Sequence, residues 1–215
     1  MKLDLKELGT IIFAIIIISL AIAYPAAEVI WIVGIFVLIT VSLNIIIKKS
    51  VGYFFEADVK TRFWSWYQLW FTRDLHFPKP LPMLWLPLLL SYLSKGMVWW
   101  LGILSFDISP RTERVSRRHG LYRFSEMTEW HIALIAASGI GINLILAVIG
   151  YFLAGISPAL NLELFAKINI WYAVWSIIPI GKLDGTKIFF GSRPLWFTTA
   201  IITLLFIAFS FTFVV

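Results

Sequence analysis

The sequence predicts an all-α fold: a polytopic bundle of transmembrane helices with five or six apolar segments. Three observations predict it. The 215 residues are 60% hydrophobic and only 14% charged, with a mean hydropathy of +0.88, whereas a soluble domain is nearer half apolar and a quarter charged. The apolar residues fall into blocks near the span of about 17–25 residues that a bilayer requires. Lys and Arg gather between those blocks, as they do in cytoplasmic loops. A single integral-membrane domain over residues 1–215 is expected, with basic and aromatic loops at 48–82 and 107–130.

Segment one runs from Leu8 to Ala23. Its leader, MKLDLKEL, carries as many acids as bases and a second apolar run follows at once, so a retained anchor is expected rather than a signal peptide. Segment two, Glu28 to Ile47, follows the turn Tyr24-Pro25-Ala26-Ala27. Segment three is Met83 to Phe106, interrupted by Lys95 and Gly96. Segments four, five and six are His131–Ala154, Leu164–Ile180 and Leu195–Val215.

Positive charge sets the expected topology. Lys48, Lys49, Lys60, Arg62, Arg73 and Lys79 lie between segments two and three, and Arg111, Arg114, Arg117, Arg118 and Arg123 between three and four. Six full spans would put these basic stretches on opposite sides. A segment three that dips in, turns at Lys95-Gly96 and returns makes both cytoplasmic, together with Lys182, Lys187 and Arg193, and places the N-terminus in the cytoplasm. Six spans with a snorkelling Lys95 is the alternative. Glu56–His76 reads as an interfacial helix or short strands at headgroup level. The arginine-rich stretch 111–124 reads first as a solvated cytoplasmic loop, and second as a contact for acidic headgroups. Membrane lipids are thus the first expected partner. The net charge of +6 is dispersed and carries no nucleic-acid motif, so nucleic-acid binding is not expected. The absence of cysteine excludes disulfides and thiolate chemistry.

The chemistry-bearing stretch is Ile168–Gly185, an apolar run ending in Asp184. An ionisable residue at membrane depth is costly and marks a candidate site. Pro179 and Gly181 break the helix beside it, and lipid tolerates such backbone only where protein or a cavity surrounds it. Asp184 has three readings: a charge partner, a helix-end residue at the membrane surface, or a metal ligand. Asn143 reads as interhelical hydrogen-bond glue, and Ala133, Ala137 and Gly141 as a close-packing stripe. His76, His119 and His131 have no metal-ligand spacing and read as loop or interface residues.

Segment five resembles the third core helix of the site-2 protease family of intramembrane zinc metalloproteases. The family's Asn-x-x-Pro-x-x-x-Leu-Asp-Gly motif is met here by Ser176, Pro179, Leu183, Asp184 and Gly185, with serine replacing asparagine. Segment four is similar to the family's Ala-Gly-Pro-x-x-Asn helix through Ala137, Gly139 and Asn143, without the proline. Lys187 and Trp196 follow as in short archaeal-type members. The resemblance implies a three-helix core from segments two, four and five, and a place in the plasma membrane of a prokaryote.

That family binds zinc through a His-Glu-x-x-His helix and the Leu-Asp-Gly aspartate, with the glutamate activating water. At the corresponding place, the end of segment two, this chain has Asn44, Ile45 and Lys48. The resemblance therefore implies a pseudoprotease without cofactor or catalytic residues, which binds transmembrane segments of other proteins as a scaffold, chaperone or regulator. The alternatives are an active intramembrane zinc protease with a non-standard ligand set including Asp184, and a small transporter or lipid-handling protein with Asp184, Lys48 and Lys95 lining a cavity. Lys48 itself has two readings. It snorkels to headgroups beside Lys49, or it takes the place of the metal and pairs with Asp184, with Asn44 as supporting donor.

Overall fold

The computed structural model describes residues 4–68, 76–111, 127–157 and 160–212. The elements are α1 (Leu5–Ala23), α2 (Ile30–Phe54), β1 (Ala57–Phe63), β2 (Ser65–Gln68), β3 (His76–Pro82), α3 (Leu86–Leu93), β4 (Leu104–Pro110), α4 (Glu129–Ile156), α5 (Leu162–Ile177), α6 (Asp184–Gly191) and α7 (Arg193–Thr212). The chain is mostly helical. Ile- and Val-rich stretches that would favour strands in water form helices here, because a helix satisfies every backbone group within its own segment. Thr128 caps α4 reciprocally with His131, the arrangement that fixes a helix start.

Among the described residues, four helices are long and apolar enough to cross a membrane: Leu5–Ala23, Ala27–Phe54, Glu129–Ile156 and Arg193–Phe211. The expected fifth, α5, is shorter, with 16 residues, and lies in the core of the bundle. Its Phe165, Ala166, Ile168, Ile170 and Ala173 are all buried. The last helix stands at the periphery, with 6% of its apolar window buried against 50% for α4.

At the centre, α4 packs on α2, α5 and α6. The Asn44 side chain donates to the Gly139 carbonyl at 2.8 Å, which fixes the register of α2 against α4. Farther along α4, a Cβ on Gly150 would stand 3.0 Å from the Ala166 Cβ of α5. The close-packing stripe is therefore Ala136, Gly139, Asn143, Ala147 and Gly150, all buried. Of the stripe expected at Ala133, Ala137 and Gly141, Ala133 is fully buried, and a Cβ on Gly191 of α6 would stand 2.7 Å from the Ala133 Cβ. Gly141 is corrected, because nothing lies within 4 Å of a would-be Cβ there.

Segment three does not form one helix. It enters as α3 and turns at Lys95 and Gly96, which have φ of 53° and 83°. It returns as extended chain into β4. Its start and its end meet the same strand region: Met83 N–H donates to the Trp64 carbonyl at 3.1 Å, and β4 pairs with β1. The tip reaches the far end of α1, where Ser91 Oγ donates to the Ala21 carbonyl at 2.5 Å and Gly96 lies against Tyr24 and Pro25 too closely for a Cβ. The returning chain is covered by protein, with Leu101 and Ile103 fully buried and the Trp175 indole donating to the Trp99 carbonyl. Such cover is what non-helical backbone requires wherever water is excluded.

Two further expectations are corrected. The loops at 48–82 and 107–130 carry strands, so the fold is not purely α. Antiparallel β1–β4 aligns Thr61 with Phe106, and β2 pairs with β3. Segment two also continues to Phe54, so Lys48 and Lys49 lie inside α2 and not in a loop. Of the two readings of Glu56–His76, the short strands are the form adopted over its described part. The arginine-rich stretch beyond Arg111, and His119, lie outside the described residues.

Where the sheet meets the end of α2, the Arg111 guanidinium donates to Asp58 Oδ1 and stands 5.2 Å from the Tyr53 ring centroid. This hydrogen bond holds the Asp58 carboxyl below its usual range. A depressed carboxylate contributes stability above its unfolded pKa, and loses it as pH falls through the folded value. The pair is partly exposed, so its contribution is under about 1 kcal/mol. Asp58→Asn is expected to flatten the acid limb of thermal stability by that amount. An unchanged acid limb would remove this contribution.

Candidate functional site

Asn44 and Lys48 lie one turn apart on the same face of α2, and that face looks toward α4 and α6. Asp184 is the first residue of α6, where the helix dipole favours a carboxylate. The structure brings the three motifs together. The Lys48 ammonium is paired with Asp184 Oδ2, and the two residues are 7% and 3% exposed. The snorkelling reading of Lys48 is thereby corrected: the stem runs inward, across Gly139. A Cβ at Gly139 would overlap the Lys48 Cε, so this glycine makes room for the lysine. Asn44 is not the supporting donor to Asp184; its amide is committed to the Gly139 carbonyl.

Asp184 Oδ1 is buried and has no hydrogen-bond partner among the described residues. Asn143 is fully buried, and both of its polar side-chain atoms likewise lack partners among the described residues, so the expected interhelical bond is not formed there. Gly185 is wedged under the end of α5. Its Cβ would overlap the Ile177 carbonyl oxygen, which also accepts from the Trp196 indole at 2.9 Å. Leu183 and Ser176 are buried, whereas Pro179 is exposed at the break after α5. Overpacking against backbone is not relieved by a rotamer change. Gly185→Ala is expected to cost at least about 1–3 kcal/mol in a detergent unfolding titration. A neutral result would contradict this packing.

The ring of Phe106 on β4 closes the site. The Lys48 Nζ stands 5.1 Å from its centroid and the Lys187 Nζ 3.4 Å. The Lys187 ammonium donates to the Phe106 carbonyl and lies 3.4 Å from Ser105 Oγ. The hydroxyl of Ser105 donates to the Lys182 carbonyl at 2.5 Å. A cavity of about 10 Å³ adjoins the pair, lined by Asn44, Lys48, Thr61, Ser105 and Tyr172 among others. That volume holds about one water molecule and does not admit a peptide. Lys95 is not among its lining residues and lies instead at the turn after α3.

The residues present do not fit a zinc ion. A zinc site needs several N, O or S ligands, and a catalytic one keeps a position open. Here one carboxylate oxygen is held by an ammonium, and the neighbouring amide is committed to a carbonyl. Ile45 stands where the resemblance calls for a water-activating glutamate. No group of three His, Cys, Asp or Glu side chains gathers among the described residues. His131 serves the N-terminus of α4 and touches the Phe55 ring, and His76 is the first residue of β3.

A second buried pair lies one residue along α2. The Lys49 ammonium bonds Glu7 of α1 at 2.7 Å, and Glu7 Oε1 accepts the Thr61 N–H of β1 at 2.8 Å. Sequence reasoning misses it by treating Glu7 as a leader acid and Lys49 as a loop base. A signal is present: both residues adjoin apolar sequence at the same end of adjacent segments.

No family model, curated protein or solved structure matches the chain.

Proposed function

We propose that this chain is a non-catalytic membrane protein with a site-2-protease-like core of α2, α4 and α5, in which the Lys48 ammonium holds the place of the metal. In this reading it binds transmembrane or juxtamembrane segments of other membrane proteins without cleaving them, as a scaffold, chaperone or regulator. The observation that supports it is the buried Lys48–Asp184 pair next to Ile45. A tethered cation compensates the carboxylate, and no side chain on that face of α2 stands ready to activate water. The one-water cavity speaks against a transport path through the same residues.

The test uses the full chain in native membranes, with photo-crosslinking side chains placed on α7. Adducts of intact membrane proteins, unchanged by added zinc, are expected. Cleaved partners whose cleavage disappears in Asp184→Ala would overturn the reading. In the same proposal the N-terminus and both basic loops are cytoplasmic. Because the chain has no cysteine, single cysteines at Lys60 and Ser116 are expected to react with an impermeant reagent from the same side. Reaction from opposite sides would contradict the re-entrant topology.

A further inference from the structure

The start of α6 carries more positive than negative charge. Asp184 is compensated by Lys48 through one oxygen, and its other oxygen, buried, has no partner among the described residues. Lys187 lies three residues later, so it shares the helical face of Asp184. Its position near the N-terminus of α6 is one the helix dipole disfavours for a cation. Its ammonium bonds a carbonyl and a hydroxyl, both neutral, and rests on the Phe106 ring. A partly buried ammonium gains more from a carboxylate than from neutral acceptors.

The carbonyl it holds has a particular place in the sheet. Trp64 N–H bonds the Ile103 carbonyl and Arg111 N–H the Glu56 carbonyl. These are hydrogen-bonded positions of the β1–β4 ladder, and they recur at every second residue. Thr61 and Phe106 fall between them, so their backbone groups point away from the partner strand. Thr61 N–H accordingly meets Glu7, and the Phe106 carbonyl meets Lys187. Lys187 thus grips the outer edge of β4 while lying within one helical turn of a carboxylate oxygen that lacks a partner among the described residues.

We propose that Lys187 is a reserve counter-ion for Asp184, so that its grip on β4 and the compensation of the buried carboxylate form one linked switch. With Lys48 in place, Lys187 stays on the Phe106 carbonyl. When Lys48 is drawn off or absent, Lys187 turns to Asp184 and releases the edge of β4. A change at the α2–α6 pair is transmitted in this way to the sheet that covers it.

Hydrogen exchange of the full chain in lipid nanodiscs tests this, read at the ladder amides of Ser105 and Asp107. In Lys48→Met, exchange at these amides is expected to rise about tenfold, the size of a lost hydrogen bond to a charged donor, with α1 amides unchanged. Adding Asp184→Asn removes the attraction and is expected to restore wild-type exchange. Lys48→Met/Lys187→Met, which leaves the carboxylate alone, is expected to be much less stable than either single variant. Wild-type exchange in Lys48→Met would overturn the proposal. So would raised exchange persisting in Lys48→Met/Asp184→Asn, or failure of Lys48→Met alone to fold.

Discussion

Asp184→Asn is expected to lower stability by about 3–5 kcal/mol, the cost of leaving one member of a buried ion pair uncompensated. Both partners are buried, so solvent does not screen their interaction as it does a surface pair. In the variant, the lysine stem still crosses Gly139 and the ammonium still ends beside Phe106, but without a carboxylate. Lys48→Met/Asp184→Asn removes both charges and is expected to recover most of the loss, because replacing a buried pair outright is often near neutral. The two substitutions are then far from additive, as contacting residues should be. An unfolding titration in mixed micelles measures all corners of the cycle. Additive effects would mean that the two side chains do not interact in the folded protein.

Glu7→Ala is expected to cost a comparable amount, about 3–5 kcal/mol. The side chains of Glu7 and Lys49 are buried, and Glu7 also accepts the Thr61 N–H. Removing it strands an ammonium and a backbone donor together, and an orphaned buried donor adds its own penalty. This residue ties α1, α2 and β1 at one point, so β1 amide exchange is expected to accelerate with the loss of stability. Glu7→Gln keeps an acceptor for Thr61 and is expected to fall between Glu7→Ala and the native chain. A loss below about 1 kcal/mol in Glu7→Ala would show that the pair behaves as a surface one.

Much of this arrangement is legible in the sequence. The helices follow from apolar blocks and the length a bilayer demands. The turn in segment three is legible in Lys95-Gly96 and in the basic stretches that flank the segment in sequence. Asp184 stands out because a carboxylate does not sit in such a run without a reason. Asn44 and Lys48 share a face by their spacing, and the glycine patch on α4 allows a close approach. What is not legible depends on neighbours distant in sequence. The direction of Lys48 is decided by whether α4 leaves room, and that room is a missing Cβ at Gly139. The pairing of β1 with β4 joins a mixed aromatic and charged stretch to the end of an apolar one, and neither shows its register alone. Glu7 and Lys49 meet at the end of the α1–α2 hairpin opposite its turn, 42 residues apart in sequence, and no local pattern announces that contact.

Metal content of the purified protein tests the claim that Lys48 stands in for a metal. The protein is incubated with zinc, stripped of weakly bound ions by gel filtration, and analysed alongside Lys48→His and Asp184→Ala. The geometry predicts no retained zinc in the native chain, because the ammonium already occupies the carboxylate and would repel a divalent ion. Zinc retained at about one per chain, and lost in Asp184→Ala, would contradict the account.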